Sequence, residues 1–374
     1  MASTRQLAPE HPHPQFVILI PPQKGVILNQ PEQATLTQDP QSASRKQDHI
    51  QLAFDSVVEA ARNDRRFYYE PMLSAHPAAS EWPIEFLGKT MRLPVWISSM
   101  TGGTEKAGVI NRNLARLANE FGLGMGLGSC RNLLYSDEYL ADFALRSLIG
   151  PDLPFYANLG VAQVEELLAN KEAGRITELV QKLEADGLIV HVNPLQEWLQ
   201  PEGDRFRLAP IDTISALLEV VDLPVIVKEV GQGMGPASLK QLMKLPLKAI
   251  EFGAAGGTNF SKMEALRNTS ENENLHSSLI RIGHTADEMI GFINDIMESS
   301  PKNEILCREM IISGGVRDYL DGYYLRNKLK LNSVYAQASA LLRPAMLSYE
   351  HLQRYIQSQE DGYRLASNLL VPKL

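Results

Sequence analysis

Gly187-Leu188-Ile189-Val190-His191-Val192-Asn193-Pro194-Leu195-Gln196-Glu197 is the stretch on which the reading of this chain turns. Gly187–Val190 is an apolar run that reads as a buried strand. His191 and Asn193 follow at the strand period of two and share a face. Gln196 and Glu197 sit in the loop just beyond, and Gln200-Pro201-Glu202-Gly203-Asp204 comes next. A His, an Asn, a Gln and a Glu thus leave the C-terminal end of one strand together. The first three offer hydrogen-bond donors to an anion, and the Glu offers a hard carboxylate to a metal ion. A metal-assisted diphosphate site needs those groups. Any one of them alone reads equally well as a capped strand end with a satisfied buried histidine. Four within seven positions favour a site.

The same unit, an apolar run with a polar end followed by an amphipathic stretch, recurs along the chain. From about residue 90 the runs are Leu93–Ser99, Leu123–Gly128, Phe155–Leu159, Leu188–Asn193, Val225–Val230, Ala249–Gly253, Met310–Ser313 and Ser333–Ala338. Helix-period segments separate them, near Asp137–Leu148, Val164–Ala185, Pro210–Val221, Ala237–Leu245, Ala286–Met297, Asp318–Lys328 and Tyr349–Gln357. In one more, Ile110, Leu114, Leu117 and Phe121 mark a single helical face. Eight such alternations predict a (β/α)8 barrel of the TIM type. A doubly wound sheet would carry a Gly-x-Gly-x-x-Gly fingerprint after its first strand, and none is present. The connection from Gly256 to Glu309 is long, and its polar middle, Arg267–His284, reads as a surface excursion.

In such a barrel the chemistry lies where the strands end. The first strand ends Ser98-Ser99-Met100-Thr101-Gly102-Gly103, whose glycines let backbone approach a flat ring or a phosphate. The second ends Gly128-Ser129-Cys130-Arg131, a hydroxyl and a guanidinium suited to phosphate oxygens. The third supplies Asn158, and the fifth supplies Lys228, a cation placed to meet an anion near the barrel axis. The sixth ends in Gly256-Gly257-Thr258, the seventh in Ser313-Gly314-Gly315, and the eighth in Ala338-Ser339. Loops after strands seven and eight commonly bind phosphate in these barrels. With Lys228 facing the N1–O2 edge of a reduced flavin, the pattern is that of a flavin mononucleotide (FMN) site.

Composition agrees with a globular enzyme. The chain has 374 residues, 44% apolar and 21% charged, with a net charge of −8. That charge argues against nucleic acid as a partner. Cys130 and Cys307 form no CxxC pattern, which excludes a disulfide framework and fits a reducing cytoplasm. No apolar run reaches membrane-spanning length, and Phe16–Ile20 is too short for a signal peptide. Residues 1–44, rich in Pro, Gln, Ser and Thr, read as a largely irregular extension. Its apolar islands, Phe16–Ile20 and Val26–Leu28, are candidate edge strands. Residues 45–374 then read as the barrel with its N-terminal arm. Arg45-Lys46-Gln47-Asp48-His49-Ile50 opens a helix-like segment whose face would be Ile50, Phe54, Val57 and Val58. Its cations suit an arm that reaches over an anionic substrate.

These segments resemble the type 2 isopentenyl-diphosphate Δ-isomerase family, FMN-dependent barrel enzymes. The resemblance rests on Arg45-Lys46-x-x-His49-Ile50, Met100-Thr101-Gly102-Gly103, Gly128-Ser129-x-Arg131, Ala157-Asn158-x-Gly160, His191-x-Asn193-Pro194-x-Gln196-Glu197, Gln200-Pro201-Glu202-Gly203, Val227-Lys228-Glu229-x-Gly231, Gly256-Gly257-Thr258 and Ser313-Gly314-Gly315-x-Arg317. It implies interconversion of isopentenyl and dimethylallyl diphosphate in isoprenoid biosynthesis, with reduced FMN, NADPH as reductant and Mg²⁺. It implies a diphosphate site of Arg45, Lys46, His49, Ser129, Arg131, His191, Asn193 and Gln196, with His191, Asn193 and Gln196 serving catalysis and Glu197 holding the metal. The flavin would contact Ser99, Met100, Thr101, Ser129, Asn158, Lys228, Thr258, Gly314, Gly315 and Ala338. A homo-oligomer, tetramer or octamer, is implied as well. The chain departs from the family pattern at Cys130, Gly235, Ala254, His284, Ala336 and Ser339.

Three other readings compete. A 2-hydroxy-acid oxidase shares Ser-Gly-Gly and the strand-five Lys, but would need a His base at strand seven, and none is there. A nucleotide dehydrogenase would use Cys130 as nucleophile and leaves the Arg45–His49 arm unexplained. A non-catalytic flavin-binding barrel is the third.

Overall fold

The computed structural model describes residues 41–77, 83–100, 105–267 and 278–374. The chain forms two compact units, Met1–Asn63 and Asp64–Leu374. In the first, helix Ser42–Leu52 is followed by a 3-10 turn, Ala60–Arg62. The expected face Ile50, Phe54, Val57, Val58 does not form. The helix stops at Leu52, and all four side chains are exposed. Four apolar residues with no buried face to join cannot hold a longer helix. The islands Phe16–Ile20 and Val26–Leu28 lie outside the described residues, as does most of the 1–44 extension.

The second unit is built on eight parallel strands, numbered here in barrel order: β1 Val95–Ile97, β2 Gly124–Gly126, β3 Phe155–Gly160, β4 Gly187–Val192, β5 Val225–Glu229, β6 Ala249–Glu251, β7 Glu309–Ile312 and β8 Asn332–Gln337. They pair in sequence order, and β8 closes on β1 through Tyr335↔Val95. All eight expected strands are present, with helices between them, so the molecule is a (β/α)8 barrel. The strand period sorts the side chains. Val95, Ile97, Leu188, Val190, Val225 and Val227 point outward and join the helices in one core. Trp96, Tyr156, Ile189, Ile226, Ala249, Ile311 and Val334 point inward and form a second core. Gly124 makes room for the Trp96 indole, since a Cβ there would lie 2.4 Å from the ring.

A hairpin of Ile84–Phe86 and Lys89–Met91 adds Phe86 and Met91 to that inner core. It is tied to the strand starts. The Leu87 N–H donates to Glu309 Oε2 (3.1 Å), and Asn332 Nδ2 donates to the Glu85 carbonyl (2.9 Å). The N-terminal end of the barrel is therefore plugged, and the site opens at the other end.

The helices differ from expectation in their limits more than in their places. Ile110, Leu114, Leu117 and Phe121 are all buried by helix Glu105–Phe121. Burying each such side chain contributes about 1.5–3 kcal/mol. Asp137–Leu148 resolves into two single turns, Leu140–Phe143 and Arg146–Ile149. Val164–Ala185 resolves into Val161–Ala169 and Gly174–Lys182, broken where Lys171 takes a φ of 60°. The last helix runs on from Tyr349 to Leu369 and leads into Leu370–Pro372, which pairs antiparallel with Phe67–Tyr69. Helix Ser339–Leu347 was not foreseen, because it carries Pro344 inside it. Of the Gly256–Glu309 connection, helix Phe260–Arg267 and residues from 278 onward are described. Among the described residues no helix is long and apolar enough to cross a membrane.

Candidate active site

One step beyond the inner apolar core, the same strands turn polar. The next inward positions are Ser98, Asn158, His191, Lys228, Glu251 and Ser313, at the open end. Asn158, Lys228, Glu251, Ser98 and Ser313 are buried. His191 pairs in register with Lys228, and Lys228 with Glu251.

On the β3–β4 side the hydrogen bonds define the proton positions. Asn158 Nδ2 donates to the Leu127 carbonyl (2.9 Å) and to Ser99 Oγ (3.0 Å). A carbonyl only accepts, so the amide NH₂ must face Leu127 and Asn158 Oδ1 must face His191. His191 Nδ1, 2.8 Å from that oxygen, therefore carries the hydrogen, and Nε2 of the neutral ring is the acceptor. Burial, with the nearby Lys228 charge, pushes the His191 pKa down to about 4.

Beyond β4, the helix Pro194–Leu199 begins with Pro194, which suits a first helical position. Its start brings the motif residues together. Asn193 Nδ2 donates to Glu197 Oε1 (2.8 Å) and to Gln196 Oε1 (3.1 Å). The Asp204 backbone N–H donates to Glu197 Oε2 (2.7 Å). Both Glu197 oxygens are thus oriented by one N–H each and keep lone pairs for a hard cation. Among the described residues no group of three or more His, Cys, Asp and Glu side chains could hold a metal.

The remaining predicted residues fall as follows. Ser129 and Arg131 are exposed at the end of β2, and Arg131 pairs with Asp204 (2.9 Å). Met100 packs on the outer core. Thr101 lies outside the described residues. Thr258 is exposed after β6. Gly314 and Gly315 follow β7 with φ values of 89° and 73°, and a Cβ on Gly314 would lie 2.0 Å from the Ala254 carbonyl oxygen. Ala338 is the N-cap of helix Ser339–Leu347, on the neighbouring strand. Bare backbone after β7 beside a helix N-terminus after β8 is a cradle suited to phosphate. Arg45, Lys46 and His49 lie in the first unit on helix Ser42–Leu52, spaced so that 45/49 and 46/49 share a face.

Several participants were not read from the sequence. Glu264, buried on helix Phe260–Arg267, accepts from Gln196 Nε2 (3.3 Å) and from Arg267 (2.7 Å). Asp204 Oδ2 gathers Arg131 and also Gln163 Nε2 (2.7 Å). Glu229 Oε2 accepts three backbone N–H groups, from Gly231, Gln232 and Gly233, at 2.7–2.8 Å. Burial nonetheless raises its pKa. Glu251 is the one with a signal: an acidic residue at an inward position of an apolar strand. Cys130 is buried, and burial pushes its thiol up to about 12, which removes it as a nucleophile.

A cavity of about 610 Å³ opens beside the ends of β4 and β5, lined by Asn193 and Gln196 of the motif together with Val227, Met234, Leu242 and Phe260. Its lining does not include Lys228, Gly314 or Gly315, so it is not the space those residues enclose.

No family model matches the chain. Its curated relatives include isopentenyl-diphosphate delta-isomerases. That of Rickettsia felis is 34% identical over 283 residues, covering 74% of this chain and 79% of the relative. That of Rickettsia akari is 32% identical over 319 residues, covering 84% and 89%. This chain belongs to the isopentenyl-diphosphate delta-isomerase family. The resemblance drawn from the sequence motifs is borne out. Solved structures of similar fold include the flavin-binding domain of baker's yeast flavocytochrome b2, with TM-score 0.56, 12% identity, and coverage of 81% of this chain and 72% of that one. A mandelate oxidase variant with benzaldehyde gives TM-score 0.52, 14% identity, and coverage of 83% and 87%. At that identity the likeness extends to the fold.

Proposed function

We propose that this chain is an isopentenyl-diphosphate Δ-isomerase of the type 2 kind, using reduced FMN, NADPH as reductant and Mg²⁺. The observation that carries the reading is the convergence of His191, Asn193, Gln196 and Glu197 at the end of β4, beside Lys228 on β5. The residues present fit the flavin: Lys228 offers an ammonium, Asn158 and Ser99 an amide and a hydroxyl, and Gly314, Gly315 and the Ala338 cap a phosphate cradle. A reduced flavin supplies an electron-rich face and a proton-carrying nitrogen.

The chain's own share is orientation, charge neutralisation and exclusion of water. Shifting the double bond needs a proton delivered at C4 and one removed at C2, through a tertiary cation-like centre that water would trap. Asn193 Nδ2 orients Gln196 and Glu197, and Glu197 would hold the Mg²⁺ that neutralises the diphosphate. Gln196 Nε2 is bonded to Glu264 Oε1, so Glu264 is the titratable group that meets this amide. Arg131, braced by Asp204, adds a cation to the diphosphate side.

The test is an anaerobic incubation of the protein with FMN, NADPH, Mg²⁺ and isopentenyl diphosphate in D₂O, followed by NMR. The expected result is dimethylallyl diphosphate carrying deuterium, formed only when the flavin is reduced. FMN binding without conversion overturns the reading.

A further inference from the structure

Glu251 is a buried acid that the diphosphate site does not use. Glu251, at the end of β6, is fully shielded from solvent, with its side chain among Ser98, Ser313 and Lys228. Its Oε1 accepts from the Ser98 hydroxyl, at the end of β1. The Ser313 side chain, at the end of β7, lies beside this carboxylate, and its oxygen accepts the Gly253 N–H (2.8 Å). Lys228 Nζ lies 3.8 Å from Oε1 and donates to the Glu229 carbonyl (2.9 Å). Glu251 Oε2 is buried and has no hydrogen-bond partner. Three strands besides its own therefore converge on one carboxylate at the barrel axis.

Such a carboxylate is costly to bury, and one with an orphaned oxygen more so. Packing alone does not account for it, since the inward positions one step below are filled by Ile226, Ala249 and Ile311. Its charged neighbour is Lys228, the cation assigned to the flavin. At 3.8 Å the two are not hydrogen-bonded, so the coupling is electrostatic and the ammonium keeps donors for a ligand.

We propose that Glu251 is a positioning residue: a buried counter-ion that holds the Lys228 ammonium on the barrel axis and sets how strongly the site favours reduced over oxidised flavin. This rests on the flavin reading. Burial raises the Glu251 pKa, opposed by the Lys228 charge and the Ser98 hydroxyl, and the ionised carboxylate partly neutralises the Lys228 ammonium. Without that negative charge the site is more positive, and an electron-rich, reduced ring is favoured.

The experiment measures anaerobic midpoint potentials and FMN dissociation constants for the reconstituted wild type, Glu251→Gln and Glu251→Asp. Glu251→Gln is expected to shift the ratio of reduced to oxidised FMN affinity by about tenfold toward reduced, a rise of about 30 mV for a two-electron couple. Glu251→Asp keeps the charge and should stay nearer the wild type. An FMN-loaded Glu251→Gln at the wild-type potential overturns the proposal, even if its thermal stability falls, because a merely structural role moves stability alone. If Glu251→Gln fails to fold or hold FMN, Ser98→Ala replaces it. Removing the Ser98 donor from Oε1 favours the neutral acid and should raise the potential, and an unchanged potential overturns the proposal. A wild type that binds no FMN sinks the flavin reading itself.

Discussion

Two successive inward layers of the same barrel differ completely in character. The lower holds Trp96, Tyr156, Ile189, Ile226, Ala249 and Ile311, apolar and closed beneath by Phe86 and Met91. The upper, two residues further along the same strands, holds Ser98, Asn158, His191, Lys228, Glu251 and Ser313. The lower layer is filled by apolar packing. The upper one is hydrogen-bonded and charged, and is held in place by the layer beneath it. Because the strand period is two, one strand serves both layers without compromise. Stability and chemistry are thereby separated by a single step along each strand.

That separation can be tested, starting where the effect is largest. Trp96→Ala empties the middle of the lower layer and should cost about 3–5 kcal/mol of folding stability, read by urea unfolding of the apoprotein. Lys228→Ala in the upper layer should weaken FMN binding about ten- to hundredfold, the worth of a charge-assisted contact. Unchanged flavin titration would place the cofactor elsewhere. Glu197→Gln should raise the Mg²⁺ concentration needed for half-maximal turnover about tenfold. FMN content should not change, and its loss would contradict the distinct roles given to Glu197 and Lys228.

The pH response sharpens the comparison further. His191 in the folded chain has its pKa lowered from 6.5 to about 4. Between those values the unfolded chain binds a proton that the folded chain does not. Stability contributed by His191 is therefore present above pH 6.5 and lost as pH falls toward 4. Unfolding at pH 7 and pH 4.5 should show a smaller acid loss in His191→Gln than in the wild type. A neutral His191 with Nε2 as acceptor also means that donating to a diphosphate requires protonation. Calorimetry of pyrophosphate binding in buffers of different ionisation enthalpy should register proton uptake at pH 7. The smallest effect is expected at Cys130, whose buried thiol, pushed up to about 12, should resist alkylation at pH 8 until the protein unfolds.

The barrel and much of its site were legible in the amino-acid order alone. Strand count, strand places and the outward faces follow from local periodicity, as Leu188–Val190 and Ile110–Phe121 illustrate. The clustering of His191, Asn193, Gln196 and Glu197 follows from their being close in sequence. What tertiary structure alone decided are the contacts between residues far apart in the chain. Asn158 sets the tautomer of His191, Glu264 reaches Gln196 across 68 positions, and Asp204 braces Arg131 across 73. Glu251 meets Ser98 only because the strands close into a ring and bring their ends to one axis. Periodicity tells which way a side chain points along its own strand, and only closure of the sheet tells what it will meet there.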